Sequence, residues 1–288
     1  MDQAASPRVE QLGLTASDGQ RLAARCYWPA GEVRRAVLIV PAMAVPQRFY
    51  EAFATWLAGQ GVAVFTFDFR GMGESAPASL RGFRATITDW ATLDLPAVIA
   101  AMRARCGDLP LSWLGHSLGG QVFGMVPGRE RFERMLTVAS GSGWWFNNSG
   151  AVRWIVHLMW HVTAPVSIAL AGYFPGERLR QVGNLPAGVM WQWRRWCLHR
   201  DYLGAEGPQV RALYAAVKTP IRAVILEDDE LIRPSGIRDL YRLYSGAPVQ
   251  FESIRPQAVG LKRIGHFGLF QKKSADTLWP KALSWLVE

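Results

Sequence analysis

Apolar residues in this chain form short unbroken runs separated by longer stretches of helical spacing, and that alternation predicts its elements. VEQLGLTAS and RLAARCYW flank Asp18-Gly19, a pair strongly suited to a tight hairpin, so the chain opens with an antiparallel ribbon. Residues 36–43 (AVLIVPAM) and 62–71 (VAVFTFDFRG) read as buried strands. Between them, 48–59 carries Phe49, Phe53, Trp56 and Leu57 at helical spacing. A long helix over 87–105 and strands over 111–117 and 134–141 follow, and then the alternation stops. It resumes with a strand over 221–226, a helix over 237–244, a strand over 249–254 and a closing helix over 274–287. Short, nearly all-apolar strands alternating with helices predict an α/β fold, a mostly parallel sheet with helices on both faces. Residues 1–143 and 215–288 form its core, and 144–214 is an aromatic-rich helical insertion read as a cap.

Composition narrows the class. With 288 residues, 50% hydrophobic and 19% charged, the chain is long and apolar enough for a full core and unlike a disordered segment. The net charge of +9 favours anionic partners or surfaces. Its basic runs are only pairs, Arg34-Arg35, Arg194-Arg195 and Lys272-Lys273, so no nucleic-acid-binding stripe is expected. Cys26, Cys106 and Cys197 lie far apart, which suits a reducing compartment. The start, MDQAASPRVEQ, lacks the basic and apolar parts of a secretory signal, and a cytoplasmic location is expected.

The sharpest chemical feature is Gly115-His116-Ser117-Leu118-Gly119, a G-x-S-x-G directly after an apolar strand and followed by Gly120. A strained strand-to-helix turn there exposes a serine at the carboxyl edge of the sheet. Small flanking residues let the backbone pass close by. A serine hydroxyl is a poor nucleophile at neutral pH, so it needs a base, and the base needs an orienting acid. Of the five histidines, His266 lies in a loop between the last strand and the last helix, where it would reach that edge, whereas His116 inside the motif should point away from Ser117. Glu227-Asp228-Asp229-Glu230 follows the strand over 221–226. Asp229 is the expected acid, with Asp228 the alternative, and at least two of the four should be an ordinary solvated turn.

The order Ser117, Asp229, His266 resembles the α/β-hydrolase superfamily over almost the whole chain. Within it, the sequence is similar to bacterial serine hydrolases grouped with esterases, lipases, monoacylglycerol-lipase-like and serine aminopeptidase-like enzymes. The matching residues are the elbow through Gly120, the loop Asp68-Phe69-Arg70-Gly71-Met72-Gly73-Glu74-Ser75, Asp229 and Gly265-His266. The resemblance implies Ser117 as nucleophile, His266 as general base and Asp229 as its partner. One departure stands out. Many relatives carry His-Gly after the first core strand, but here the stretch is Val40-Pro41-Ala42-Met43-Ala44-Val45-Pro46. Oxyanion donors are then expected from the backbone of Leu118 and of Met43 or Ala42.

Other motifs do not lead elsewhere. Gly71-Met72-Gly73-Glu74-Ser75-Ala76 formally matches a dinucleotide fingerprint, but Pro77 and a polar loop follow where a helix should open, so no cofactor is expected. His157 and His161 share a helical face without the glutamate or third ligand of a zinc site, so no metal is expected. Residues 154–174 carry no formal charge and are long enough to cross a bilayer. A span there would put Ser117 on one side and Asp229 and His266 on the other, and Pro165 suits a broken helix pair better. The insertion is instead expected to line an apolar pocket, with Trp144, Trp145, Trp160 and Trp191 as candidate substrate contacts. Arg153, Arg178, Arg180, Arg194, Arg195 and Arg200 permit contact with anionic lipid. The expected activity is hydrolysis of a small apolar carboxylic ester through an acyl-enzyme. Rivals are acyl transfer, thioester or amide cleavage on the same triad, and a non-catalytic protein that binds an apolar ligand.

Overall fold

A computed structural model describes residues 7–287. The first strands, β1 (Arg8–Thr15) and β2 (Arg21–Trp28), form the expected antiparallel hairpin. The others are β3 (Arg35–Val40), β4 (Val62–Phe67), β5 (Leu111–His116), β6 (Arg134–Val138), a small ribbon of β7 (Tyr173–Phe174) and β8 (Leu185–Pro186), then β9 (Ile221–Leu226) and β10 (Val249–Ile254). The eight-stranded sheet runs β1-β2-β4-β3-β5-β6-β9-β10. β2 joins β4 antiparallel, and every pair from β4 to β10 is parallel.

Strand periodicity divides the core. In fully buried β3, Val37 and Ile39 pack into one cluster while Leu38 and Val40 pack into the other, so helices must cover both faces. On one face lie α1 (Glu51–Gly59) and the closing helix α10 (Leu278–Val287). On the other lie α2 (Ile87–Asp89), a π turn over Trp90–Asp94, and α3 (Leu95–Cys106). A further short helix, α4 (Leu118–Gln121), follows β5 directly.

Between β6 and β9 the chain leaves the sheet. It forms α5 (Val152–Leu158), a π turn over Met159–Thr163, α6 (Ala164–Ala171), the β7–β8 ribbon, α7 (Ala187–Leu198) and α8 (Pro208–Ala215). Instead of a broken pair, α5, the π turn and α6 make one helix over Val152–Ala171. The π turn precedes Pro165, as the turn at Trp90–Asp94 precedes Pro96. In each, wider winding accommodates a ring that lacks an N–H and would strike the preceding carbonyl.

Other boundaries move for local reasons. β3 stops at Val40 because Pro41 follows. β4 stops at Phe67, where the buried Asp68 carboxylate accepts the N–H groups of Gln47 (2.7 Å) and Glu74 (2.9 Å) and turns the chain. α9 (Pro234–Tyr241) begins earlier than its apolar spacing suggests, with Pro234 at the first position, where a missing N–H costs nothing. Gly73–Ser75 is a short 3-10 turn, so the glycines after β4 shape a loop and open no long helix.

Candidate active site

Four carboxyl-end connections hold the candidate residues: the loops after β3, β5 and β9, and the loop after β10 that holds His266. Ser117 lies between β5 and α4 with φ +50°, a left-handed conformation that is strained for a residue with a side chain. Its backbone is held on both sides. The N–H donates to Val138 O (2.9 Å), and the carbonyl accepts from Gly120 N (3.0 Å) and Ser140 Oγ (2.7 Å). The neighbouring glycines are steric requirements. A Cβ on Gly119 would sit 2.0 Å from Val40 O, and one on Gly115 would lie 2.5 Å from Gly120 Cα.

His266 is buried and its Nδ1 lies 2.8 Å from Asp229 Oδ2. Asp229 is fixed by its other oxygen, which accepts the N–H groups of Leu231 (2.7 Å) and Ile232 (3.0 Å). The alternative acid, Asp228, faces the same loop differently. Its carboxylate accepts the backbone N–H groups of Ile264 (2.8 Å) and Gly265 (3.1 Å). Glu230 accepts the N–H of His266 (3.1 Å) and pairs with Arg263 (3.4 Å), and Glu227 pairs with Arg255 (2.7 Å). The acidic run is therefore no loosely solvated turn: one member meets the imidazole and two hold the loop that carries it.

Sequence reasoning missed a second layer. Ala42 donates its N–H to Tyr50 Oη (3.0 Å), so the Tyr50 O–H is left to donate to His116 Nδ1 (2.8 Å). His116 Nε2 then donates to the His266 carbonyl (3.0 Å). Burial, with His266 close by, keeps the His116 pKa well below the usual imidazole value and its ring neutral, as this relay requires. The relay ties the loop after β3, the elbow and the base loop together. Tyr50 gives no local sequence signal, since its role depends on folding that brings residues 42, 50, 116 and 266 together.

For the oxyanion, the arrangement corrects one expectation. Ala42 is not free to donate, because Tyr50 takes its N–H. Met43 N–H has no partner among the described residues, and Leu118 N–H, first in its helix, has none within that helix. Ser117 and His266 come to the same edge, with the His116 and His266 rings 5.3 Å apart. Among the described residues, no hydrogen bond joins Ser117 Oγ to His266 Nε2.

The four tryptophans separate. Trp144 and Trp145 are half-buried just beyond β6. Trp160 is fully buried against Trp193 (ring centroids 4.9 Å apart), so it acts as packing and has no surface to offer a ligand. Trp191 is 40% exposed, with Arg194 over its ring. A cavity of about 420 Å³ opens beside Ala44, Met72 and Tyr173, but Ser117, Asp229 and His266 are not in its lining. Cys26, Cys106 and Cys197 are free and buried, and no three His, Cys, Asp or Glu residues among those described are grouped to hold a metal.

Residues 31–172 match the family described as "Serine aminopeptidase, S33". That stretch holds the loop after β3 and the elbow but stops short of Asp229 and His266. No curated protein sequence matches the chain. Among solved structures, a soluble variant of monoglyceride lipase from Saccharomyces cerevisiae, bound to a substrate analogue, is 17% identical with a TM-score of 0.65, covering 99% of this chain and 96% of that one. A thermostable carboxyl esterase from Bacillus coagulans, bound to glycerol, is 13% identical with a TM-score of 0.64, covering 97% and 99%. An esterase from Pyrococcus furiosus is 12% identical with a TM-score of 0.60, covering 97% and 89%. Sheet order and these structures give the chain the α/β-hydrolase fold, and the family matched over residues 31–172 supports a hydrolase.

Proposed function

We propose that the protein is a serine hydrolase of apolar carboxylic esters, working through Ser117, His266 and Asp229. The observation that carries this reading is the 2.8 Å contact between Asp229 and His266 Nδ1, at the sheet edge where Ser117 sits in a strained turn. Asp229 holds the imidazole with Nδ1 protonated, which leaves Nε2 as the base. His266 takes the Ser117 proton as Oγ attacks the ester carbonyl. The N–H groups of Leu118 and Met43 receive the oxyanion, an interaction worth about 3 kcal/mol per donor in the transition state. His266 then protonates the departing alcohol, and the acyl group stays on Oγ. Water, deprotonated by His266, attacks that acyl carbon; the serine regains its proton and the acid leaves.

The insertion supports an apolar acyl or alcohol group. Trp144 and Trp145 begin it in the connection that follows β6, and under this reading the segment caps the serine. Fluorophosphonate labelling read by intact mass tests the proposal. One adduct on the wild type and none on Ser117→Ala is expected, followed by turnover of ester panels, with amides included because of the matched family's description. A folded wild type that takes no adduct would overturn it.

A further inference from the structure

The helix over Val152–Ala171 carries large apolar side chains on its outer face as well as on the face packed against the protein. Met159, Trp160, Ala164 and Ile168 face the protein interior. Trp154, Ile155, Leu158, Val162, Val166 and Leu170 are each 50–75% exposed. From Ile155 on they recur every three or four residues, and with Trp154 they form a single stripe about 24 Å long. His161 is the only polar side chain exposed with them. Isolated exposed apolar residues are unremarkable, but a continuous stripe of this length marks a surface that meets something apolar.

The helix does not leave the body to cross a membrane, because both ends are fastened. Just before it, Asn148 bridges to Ile232. At its far end, Arg81 donates to the Leu170 carbonyl (3.2 Å). The stripe therefore lies along the surface of the protein.

Charge around it identifies the occupant. No aspartate or glutamate occurs between Glu133 and Glu177. At one end, the Arg153 guanidinium lies over the rings of exposed Trp154 and Phe146; near the middle, Arg194 donates to the Trp160 carbonyl and covers exposed Trp191. Arg81 stands at the other end. Cations beside an apolar stripe, aromatics at its margins and no acid within the segment itself match a layer whose headgroups are negative and whose interior is hydrocarbon. A second copy of this cationic face would bring arginines against arginines. We infer that the Val152–Ala171 helix lies flat on an anionic lipid bilayer and holds the protein there as a peripheral membrane protein.

Co-sedimentation of the full chain with phosphatidylcholine vesicles, with and without phosphatidylglycerol, tests this without reference to catalysis. Binding to the phosphatidylglycerol vesicles, weakened by added salt, is expected. Ile155→Glu/Leu158→Glu/Val162→Glu should reduce it at least about tenfold. These side chains are already in water, so circular dichroism and fluorophosphonate labelling should stay as in the wild type. The polar but uncharged Leu158→Ser/Val162→Ser should show a smaller loss. Arg153→Gln should weaken binding to anionic vesicles alone. Equal binding to both vesicle types would overturn the charge argument. No sedimentation, or a wild-type dimer in light scattering that Leu158→Glu converts to monomer, would overturn the membrane assignment and point to self-association.

Discussion

The base loop and the insertion helix show opposite ways of meeting solvent. Around His266, side chain, N–H and carbonyl each have a protein partner, in Asp229, Glu230 and His116 respectively. In the insertion, Asn148 Oδ1, Arg153 Nε, His157 Nδ1 and Trp160 Nε1 are buried with no protein partner, while a whole apolar face lies exposed. A buried unpaired polar atom and an exposed apolar stripe are both unfavourable in an isolated domain. The polar groups of His266 are satisfied within the chain, whereas the insertion leaves an apolar face and several polar atoms without a protein partner. The difference teaches that hydrogen-bond satisfaction is dense around the candidate base and looser in the insertion.

The sharpest way to break that contrast is through the acids. Asp229→Asn should lower kcat by about 10³–10⁴ with the fold intact, because an amide cannot hold the imidazole tautomer. Asp228→Asn should cost about 10²-fold or less, since it only loosens the backbone at Ile264 and Gly265. Kinetics on a short soluble ester, with circular dichroism as control, reads both. An inactive Asp228→Asn beside an active Asp229→Asn would reverse the roles.

Next in size is the relay behind the site. Tyr50→Phe deprives Ala42 N–H of its acceptor and His116 Nδ1 of its donor, both in the interior. Leaving buried groups unpaired costs about 1–3 kcal/mol each, so thermal denaturation should shift down clearly. If the relay positions the base loop, kcat should also fall by about tenfold while KM holds. A lowered melting temperature with unchanged kcat would make Tyr50 purely structural.

How much of this was legible in the sequence follows physical range. The strand at 221–226, the strand at 249–254 and the elbow are local patterns, and they appear where the apolar runs and the glycines put them. Ser117, Asp229 and His266 could be singled out because each follows a strand end in chain order. The choice between Asp228 and Asp229 needed the turn in which Leu231 and Ile232 bind Asp229 Oδ1, which adjacency in a run of four carboxylates does not reveal. Tyr50 was invisible because its partners lie 8 and 66 residues away. Trp160 and Trp191 were indistinguishable by composition, since helix phase alone decides that one is core and the other surface.

The smallest effect lies where the insertion is fastened down. Glu206 accepts from Gln192 (2.9 Å), Trp196 and Arg195, while Gln192 also bonds Thr88 Oγ1 (2.7 Å), so one carboxylate secures α7 against α2. Burial raises the Glu206 pKa, but the hydrogen bonds from Gln192, Trp196 and Arg195 outweigh it and hold the carboxyl below its ordinary 4.5. A depressed carboxylate contributes stability that is fully present above its unfolded value and lost as pH falls through the folded one. Glu206→Gln should therefore cost about 1–2 kcal/mol near neutrality, and the gap from wild type should close as pH drops below 4.5. Hydrogen exchange along α7 is the measurement to compare with the base loop. Faster exchange in α7 and unchanged exchange around His266 would show that the insertion loosens independently of the site. Equal acceleration in both would show that they open as one unit, and the contrast between a finished site and an unfinished insertion would not extend to their motions.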